Sequence, residues 1–444
     1  MMKLSKLPEQ CLMLLYLGRW LALSSIVGLL AGAASSALLV SLDWATSTRL
    51  SHPWLLWLLP VAGLGVGLLY HHFGKAVEGG NNLLIDEIHD PQRIVPKRMG
   101  PLVLIGTVLT HLFGGSAGRE GTAVQMGGVL ADVVTRICKL DKEDRRILLM
   151  AGISAGFASV FGTPLAGAIF GLEVLAIGRL RYDAILPCFI AAIIADQLPG
   201  LLGVHHTHYV VPFVPQFSLL VLGATIVSGI VFGLAGMFFA TATHALTRLF
   251  KRWISYAPLR PFVGGVIVAL AATLLATDKF LGLGIPTIVA SFSQPLPAFD
   301  FFGKFMFTIV TLASGFKGGE VTPLFFIGAT LGNALSYVLA LPLPVLAGLG
   351  FVAVFAGAAN TPIASTIMAI ELFGPEIGTL AAVACIVSYL FSGHTGIYRA
   401  QLIGDGKFLR SPDGAPRSGI SGFRRSASKG SAEKKDAPID EQTG

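Results

Sequence analysis

A short polar break interrupts this apolar chain twice, 200 positions apart: Gly118-Arg119-Glu120-Gly121-Thr122 and Gly318-Gly319-Glu320-Val321-Thr322. Each break runs straight into a strongly apolar stretch. In lipid every backbone polar group needs an internal partner, so broken backbone survives only inside protein or against a cavity. A carboxylate at that depth is costly and marks function by default. Two such breaks at matching positions in two halves are the strongest sequence pointer to a transport site.

Composition supports a membrane reading. Of 444 residues only 13% are charged and 53% are hydrophobic, whereas a soluble chain carries about 25% charge. Mean hydropathy is +0.72. A spanning helix needs about 20 residues, and apolar runs of that order lie near 20–42, 53–70, 147–175, 184–204, 217–240 and 377–392. The runs at 101–113, 121–135, 262–276, 284–292 and 321–331 are too short or too broken to span alone and predict half-helices or re-entrant pieces. The mixture points to an all-α polytopic membrane protein and away from a simple up-and-down bundle. Many of the 53 glycines serve close helix approach. No signal peptide is evident, because the first apolar run is too long and lacks a small-residue cleavage site.

Cys11, Cys138, Cys188 and Cys385 are scattered singly, without metal spacing or a disulfide framework. Basic residues cluster at Lys3–Lys6, at Arg136–Arg146, at Arg248–Arg252 and after Tyr398. The positive-inside rule places these segments, and both termini, on the cytoplasmic side. The clusters flank apolar spans and form no basic face, so nucleic acid is not an expected partner. From Ser411 onward the chain is Ser-, Gly- and Lys-rich and reads as a disordered tail.

The duplication extends beyond the two breaks. Ala155–Leu165 reads against Ala353–Ile363, and ten residues past Thr163 and Thr361 stand Glu173 and Glu371. A looser third pair sets Gly79-Gly80-Asn81-Asn82-Leu83 opposite Gly282-Leu283-Gly284-Ile285-Pro286. Three motifs in one order, twice, predict two repeats at 20–205 and 215–405, with 1–19 an N-terminal segment, 206–214 a connecting loop and 406–444 the tail. Whether the repeats are inverted or parallel is open at this level.

Each motif has a chemistry. Glycines let the backbone bend and approach an ion. The helices expected to start at Thr122 and Val321 would turn free N–H groups and a positive dipole end toward the breaks, which suits an anion. Ionised, Glu120 competes with that anion; protonated, it withdraws, so one residue can couple proton to anion movement. The plainer alternative has Glu120 capping its helix or pairing with Arg119. Thr322 adds a hydroxyl donor, and Glu320 either pairs with a cation such as Lys317 or handles a proton. Asn81 carries donors and an acceptor, for an ion or for a helix cap. Tyr398, after the last long run, reads as an interfacial belt residue. His205, His206 and His208 read as a solvated loop, since no carboxylate or cysteine completes a metal set. Glu173 and Glu371 read as structural. No His-Glu-x-x-His, Gly-x-Ser-x-Gly or Asp-rich motif suggests an enzyme, and no cofactor is expected.

At these residues the chain resembles the CLC family of anion channels and anion/proton antiporters, over about residues 20–405. The resemblance implies a CLC-type fold of two inverted repeats built from full, broken and re-entrant helices, in a homodimer with one ion pathway per subunit. The family's ion-binding segments match Gly80-Asn81-Asn82-Leu83-Leu84, Gly118-Arg119-Glu120-Gly121-Thr122, Gly319-Glu320-Val321-Thr322-Pro323 and Tyr398. Three departures stand out: Asn81 replaces a chloride-contacting serine, Thr122 replaces a proline, and Glu320-Val321-Thr322-Pro323 replaces small or aromatic residues. They are similar to the bacterial fluoride/proton antiporter branch.

By this resemblance Glu120 is the gating, proton-carrying glutamate. Asn81, Gly118, Arg119, Gly121, Val321, Thr322 and Tyr398 line the anion site, with Glu320 and Glu87 as candidate proton-relay or selectivity residues. The implied function is fluoride export against proton entry across the bacterial cytoplasmic membrane, conferring fluoride resistance, with fluoride, protons and membrane lipid as partners. A chloride/proton exchanger or a passive channel of the same fold is the alternative. Many chloride/proton exchangers carry an inner glutamate near the end of the first half. Counting places that position near Thr207, which has no carboxylate, so a protonated Glu120 is expected to swing inward toward Thr322 or Glu320.

Overall fold

The computed structural model describes residues 9–407. Lys3, Lys6 and the expected tail beyond residue 407 lie outside the described residues. Among the described residues sixteen α-helices fall into two series of eight. The first comprises α1 (Glu9–Ser51), α2 (Leu59–Phe73), α3 (Asn81–His89), α4 (Met99–Leu112), α5 (Glu120–Ile137), α6 (Lys142–Phe161), α7 (Pro164–Glu173) and α8 (Ile185–Leu201). The second comprises α9 (Leu219–Trp253), α10 (Leu259–Leu274), α11 (Ile285–Ala290), α12 (Asp300–Ser314), α13 (Val321–Leu335), α14 (Leu343–Ala359), α15 (Pro362–Phe373) and α16 (Gly378–Phe391). Lengths vary widely. At about 1.5 Å per residue α1 is roughly 65 Å long, so it tilts or projects beyond a bilayer core of about 30 Å. α3, α7, α11 and α15 are too short to cross.

The series share their breaking devices. Gly162 ends α6 in the left-handed region (φ 71°) and Pro164 opens α7; Asn360 ends α14 in the same region (φ 58°) and Pro362 opens α15. A left-handed residue cannot continue a helix, and a first-turn proline lacks an N–H that would go unused. The run 147–175, expected as one span, is therefore two helices.

α7 and α15 fix how the halves relate. The Glu173 carboxylate accepts the N–H groups of Ile363 and Ala364 at 3.0 and 2.8 Å, while Glu371 accepts those of Leu165 and Ala166 at 2.9 and 2.8 Å. Each helix thus ends on a carboxylate that caps the start of the other. Only antiparallel helices can do this, so equivalent elements of the two series are inverted. The structural reading of Glu173 and Glu371 holds.

The core is built around α6 and α14, which are buried on nearly every face and pack on α5 and α13 respectively. Glycines allow the approach. A methyl group on Gly127 would lie 2.2 Å from the Gly152 carbonyl oxygen, and one on Gly328 would lie 2.0 Å from that of Gly350. Phe157, Phe170, Phe325, Phe351 and Phe355 interleave where the halves meet.

Both ends of the described chain share one side. Arg19 pairs with Asp144, Arg146 donates to the His89 carbonyl, and the His89 ring contacts the Leu175 carbonyl. Leu402 donates to that same carbonyl as β2 (Leu402–Ile403) runs parallel to β1 (Ala176–Ile177).

Candidate anion site

The two breaks meet backbone to backbone. The Gly118 N–H donates to the Gly319 carbonyl and the Gly319 N–H to the Gly118 carbonyl, both at 2.7 Å, forming an isolated antiparallel bridge. Side chains would prevent this: a Cβ on Gly118 would stand 2.8 Å from Glu120 Oε2, and one on Gly319 2.8 Å from the Gly121 nitrogen. The bridge sets the N-termini of α5 and α13 side by side. A third helix start joins them, since a Cβ on Gly121 would lie 3.1 Å from Asn81 Nδ2 at the start of α3. Three positive helix ends with unused N–H groups thus face one region, the arrangement that favours an anion.

The Glu120 carboxylate occupies that region. It is 1% exposed. The backbone N–H groups of Arg119 and Thr322 donate to Oε2, each at 3.1 Å, and the Thr322 hydroxyl donates to Oε1. Arg119 Nε lies 3.8 Å from Oε1, an ion pair without a hydrogen bond. Glu120 is therefore neither a cap of its own helix nor a simple Arg119 partner; its ligands come mainly from the opposite half. Thr122 shares a hydroxyl–hydroxyl bond of 2.7 Å with Thr107.

The remaining candidates divide. Tyr398 is buried, with the Glu320 and Glu120 carboxylates within electrostatic reach of it and Phe170 edge-on at 6.4 Å. It is no belt residue. Asn81 makes no side-chain cap bond, and its Oδ1 is buried without a protein partner, so the helix-cap alternative fails. Neighbouring Asn82 accepts the Ala400 N–H at 3.0 Å, tying this break to the Tyr398 segment. Val321 opens α13 and is buried. Glu320 immediately precedes α13 and is half-buried. Lys317 is not its counter-ion: the ammonium stands 3.9 Å from the Tyr70 ring centre.

Glu87 lies elsewhere. It accepts two bonds from the Arg93 N–H and pairs with Arg145 at 3.1 Å, and Arg145 also holds Asp132 at 2.6 Å. That buried network joins α3, α5 and α6, and it is separate from the Glu120 ligands.

On the side of Ser51, a vestibule of about 710 Å³ is lined by Arg49, Arg119, His205, Thr207 and Asp278. The placement of an inner glutamate position at Thr207 is corrected here: Thr207 stands at the mouth opposite the described chain ends. Glu173, a carboxylate toward the chain-end side, is already committed as a cap. The histidine loop is also only partly solvated. His205 and His208 are exposed, whereas His206 turns inward against Gly162. Among the described residues no group of histidines, cysteines and carboxylates is placed to hold a metal.

Sequence reasoning missed the brace behind the break. The His111 ring contacts the Thr107 and Ala117 carbonyls at 2.8 and 3.1 Å, and Ser116 bonds the Thr308 hydroxyl at 2.9 Å. Single polar residues in apolar helices were the available signal.

Helix starts converging on a carboxylate between inverted halves of broken helices define a membrane anion-transport protein. The sequence profile described as "Voltage gated chloride channel" matches residues 62–393, and the chain belongs to this family, the CLC family. It is 63% identical over 409 residues to a "Chloride/fluoride channel protein" of Pseudomonas syringae pathovar tomato, covering 91% of this chain and 90% of that protein. Among solved structures it is similar to a "CLC-type fluoride/proton antiporter", with TM-score 0.84 and 36% identity, covering 87% of this chain and 98% of the other. A slow cyanobacterial Cl⁻/H⁺ antiporter shares the fold at TM-score 0.74 and 21% identity, covering 84% and 94%.

Proposed function

We propose that this chain is a secondary active antiporter that exports fluoride from the cytoplasm in exchange for protons. One observation carries the reading: the Glu120 carboxylate sits in a seat of amide and hydroxyl donors drawn from both halves. A carboxylate oxygen there is a tethered anion. When Glu120 is ionised it fills the seat. When it takes a proton it loses much of its attraction for those donors, and a free anion takes them over. Anion and proton thus exclude the same empty state, which is the basis of exchange. Fluoride is small and strongly hydrated, so it needs short, strong donors in place of water. The Thr322 hydroxyl and amide, Asn81 and Tyr398 are available for this, and all lie in or beside the seat. The names of the two similar proteins above favour fluoride.

The proton leaves toward the chain ends as Glu120 rotates between Thr322 and Glu320, the carboxyl group next in line. The repeats are taken as 20–205 and 215–405, and the described ends as cytoplasmic, since the basic Arg136–Arg146 segment lies on their side. The antiporter sits in a bacterial cytoplasmic membrane as a homodimer, each subunit with its own pathway, because one chain supplies every ligand of Glu120. A chloride/proton exchanger is the second reading, favoured by the word chloride in the relative's name. Efflux from proteoliposomes under an imposed pH gradient, followed with fluoride and chloride electrodes, separates the two. Fluoride release well above chloride release is expected; equal release overturns the fluoride assignment.

A further inference from the structure

Between the vestibule and the Glu120 seat lies a void of about 20 Å³, bounded on one side by Arg119, Glu120, His206, Thr207, Tyr209 and Thr322 and elsewhere by apolar side chains such as Phe161 and Phe325. A site that size holds one water, provided polar groups line it, and here they do. His206 is one of its walls, and the flanking His205 and Thr207 line the vestibule. Its Cδ2 edge lies over Gly162, where a Cβ would come within 2.8 Å. Both ring nitrogens are shielded, and neither makes a protein hydrogen bond of normal geometry, although the Val160 carbonyl stands near the ring. Buried polar atoms rarely go unpartnered, so an imidazole left this way beside a water-sized polar void calls for water.

Resting on the antiport reading above, we propose that His206 is the outer proton relay of this transporter, exchanging protons between the vestibule and Glu120 through a single bridging water. A hydronium in the vestibule gives its proton to one ring nitrogen. The other ring nitrogen releases its proton to the bridging water, which passes one of its own to the Glu120 carboxylate. The imidazole ends neutral, with its tautomer reversed, and a flip of the ring that exchanges the two nitrogens resets it. A neutral imidazole has one donor and one acceptor, as this sequence requires. His206 lies in the loop between α8 and α9, where burial, and next the Arg119 guanidinium, hold it below its usual pKa. The groups facing it are Arg119, Glu120, Tyr209, His205 and His208. Arg119 is the fixed cation among them, so a second lasting positive charge at His206 is disfavoured and the proton passes on.

The relay predicts a pH-dependent defect. In proteoliposomes, His206→Ala slows proton-coupled fluoride exchange by about tenfold or more at pH 8, in the range of a lost acid–base group. The deficit shrinks toward pH 5, where protons are plentiful in the vestibule, and added imidazole restores part of the rate at pH 8. His206→Phe keeps a ring against Gly162 and shows the same deficit without imidazole rescue; a monodisperse elution profile and wild-type fluoride binding show that it is folded. Wild-type rates in both variants from pH 5 to pH 8 overturn the relay. So does a deficit that is independent of pH and unmoved by imidazole, which marks a packing role. A wild-type protein that moves no protons refutes the antiport reading instead.

Discussion

Glu120 and Thr322 carry opposite halves of one hydrogen bond, and their variants separate seat from proton. Glu120→Gln keeps the shape but cannot titrate, so fluoride movement is expected to lose its proton partner; simultaneous fluoride and pH recordings on vesicles measure this. Thr322→Val keeps the amide and the volume but removes the hydroxyl. A hydrogen bond to a charged group is worth about 1.5–3 kcal/mol, so fluoride binding measured by calorimetry should weaken by about tenfold or more. Glu87→Gln tests the candidate relay at Glu87: with its carboxylate held by Arg145 and the Arg93 N–H, proton coupling is expected to stay intact. Because it strips the buried Arg145 of one carboxylate, it lowers the thermal unfolding temperature, with a cost of about 1–3 kcal/mol. The residues of the seat were legible because each sits inside a short motif, and the CLC resemblance linked those motifs into one site. Thr207 and His206 were not legible. Counting along a loop cannot say which mouth the chain has reached, or which of three neighbouring histidines turns inward.

Helix ends and helix contacts make a second tier. The reciprocal caps predict that Glu173→Ala and Glu371→Ala each cost about 1–2 kcal/mol, the value of a lost cap. Each cap also aligns the two inverted halves, so the thermal shift of the double variant in detergent should depart from the sum of the singles. The Gly328–Gly350 contact predicts that Gly328→Val forces α13 off α14 and tilts the start of α13, where Thr322 holds Glu120. Overpacking of this kind costs about 1–3 kcal/mol, and fluoride affinity should fall together with thermal stability. The broken helices were anticipated from run lengths, but not their boundaries. The run 147–175 is apolar throughout, and only the Gly162 conformation followed by Pro164 divides it. Inversion was invisible in the sequence because repeat order is the same for parallel and inverted copies. The antiparallel caps of α7 and α15 decide it.

At the scale of the molecule, two sides and one barrier define the transporter. Cys138 is exposed beyond α5, beside the basic segment that shares a side with the chain ends. A membrane-impermeant maleimide should label it in inverted vesicles and not in right-side-out cells, while Gly203→Cys in the vestibule should show the reverse pattern. Under the proposed mechanism Glu120 alternates with the anion at the seat between the two sides, and net fluoride movement then follows the proton gradient even against its own. The most direct measurement sets equal fluoride on both sides of a proteoliposome membrane, clamps the voltage at zero and acidifies the compartment facing the vestibule. Net fluoride accumulation on the acidified side, abolished in Glu120→Gln, is the predicted result. Fluoride that stays at equal concentrations on both sides despite the proton gradient contradicts the account.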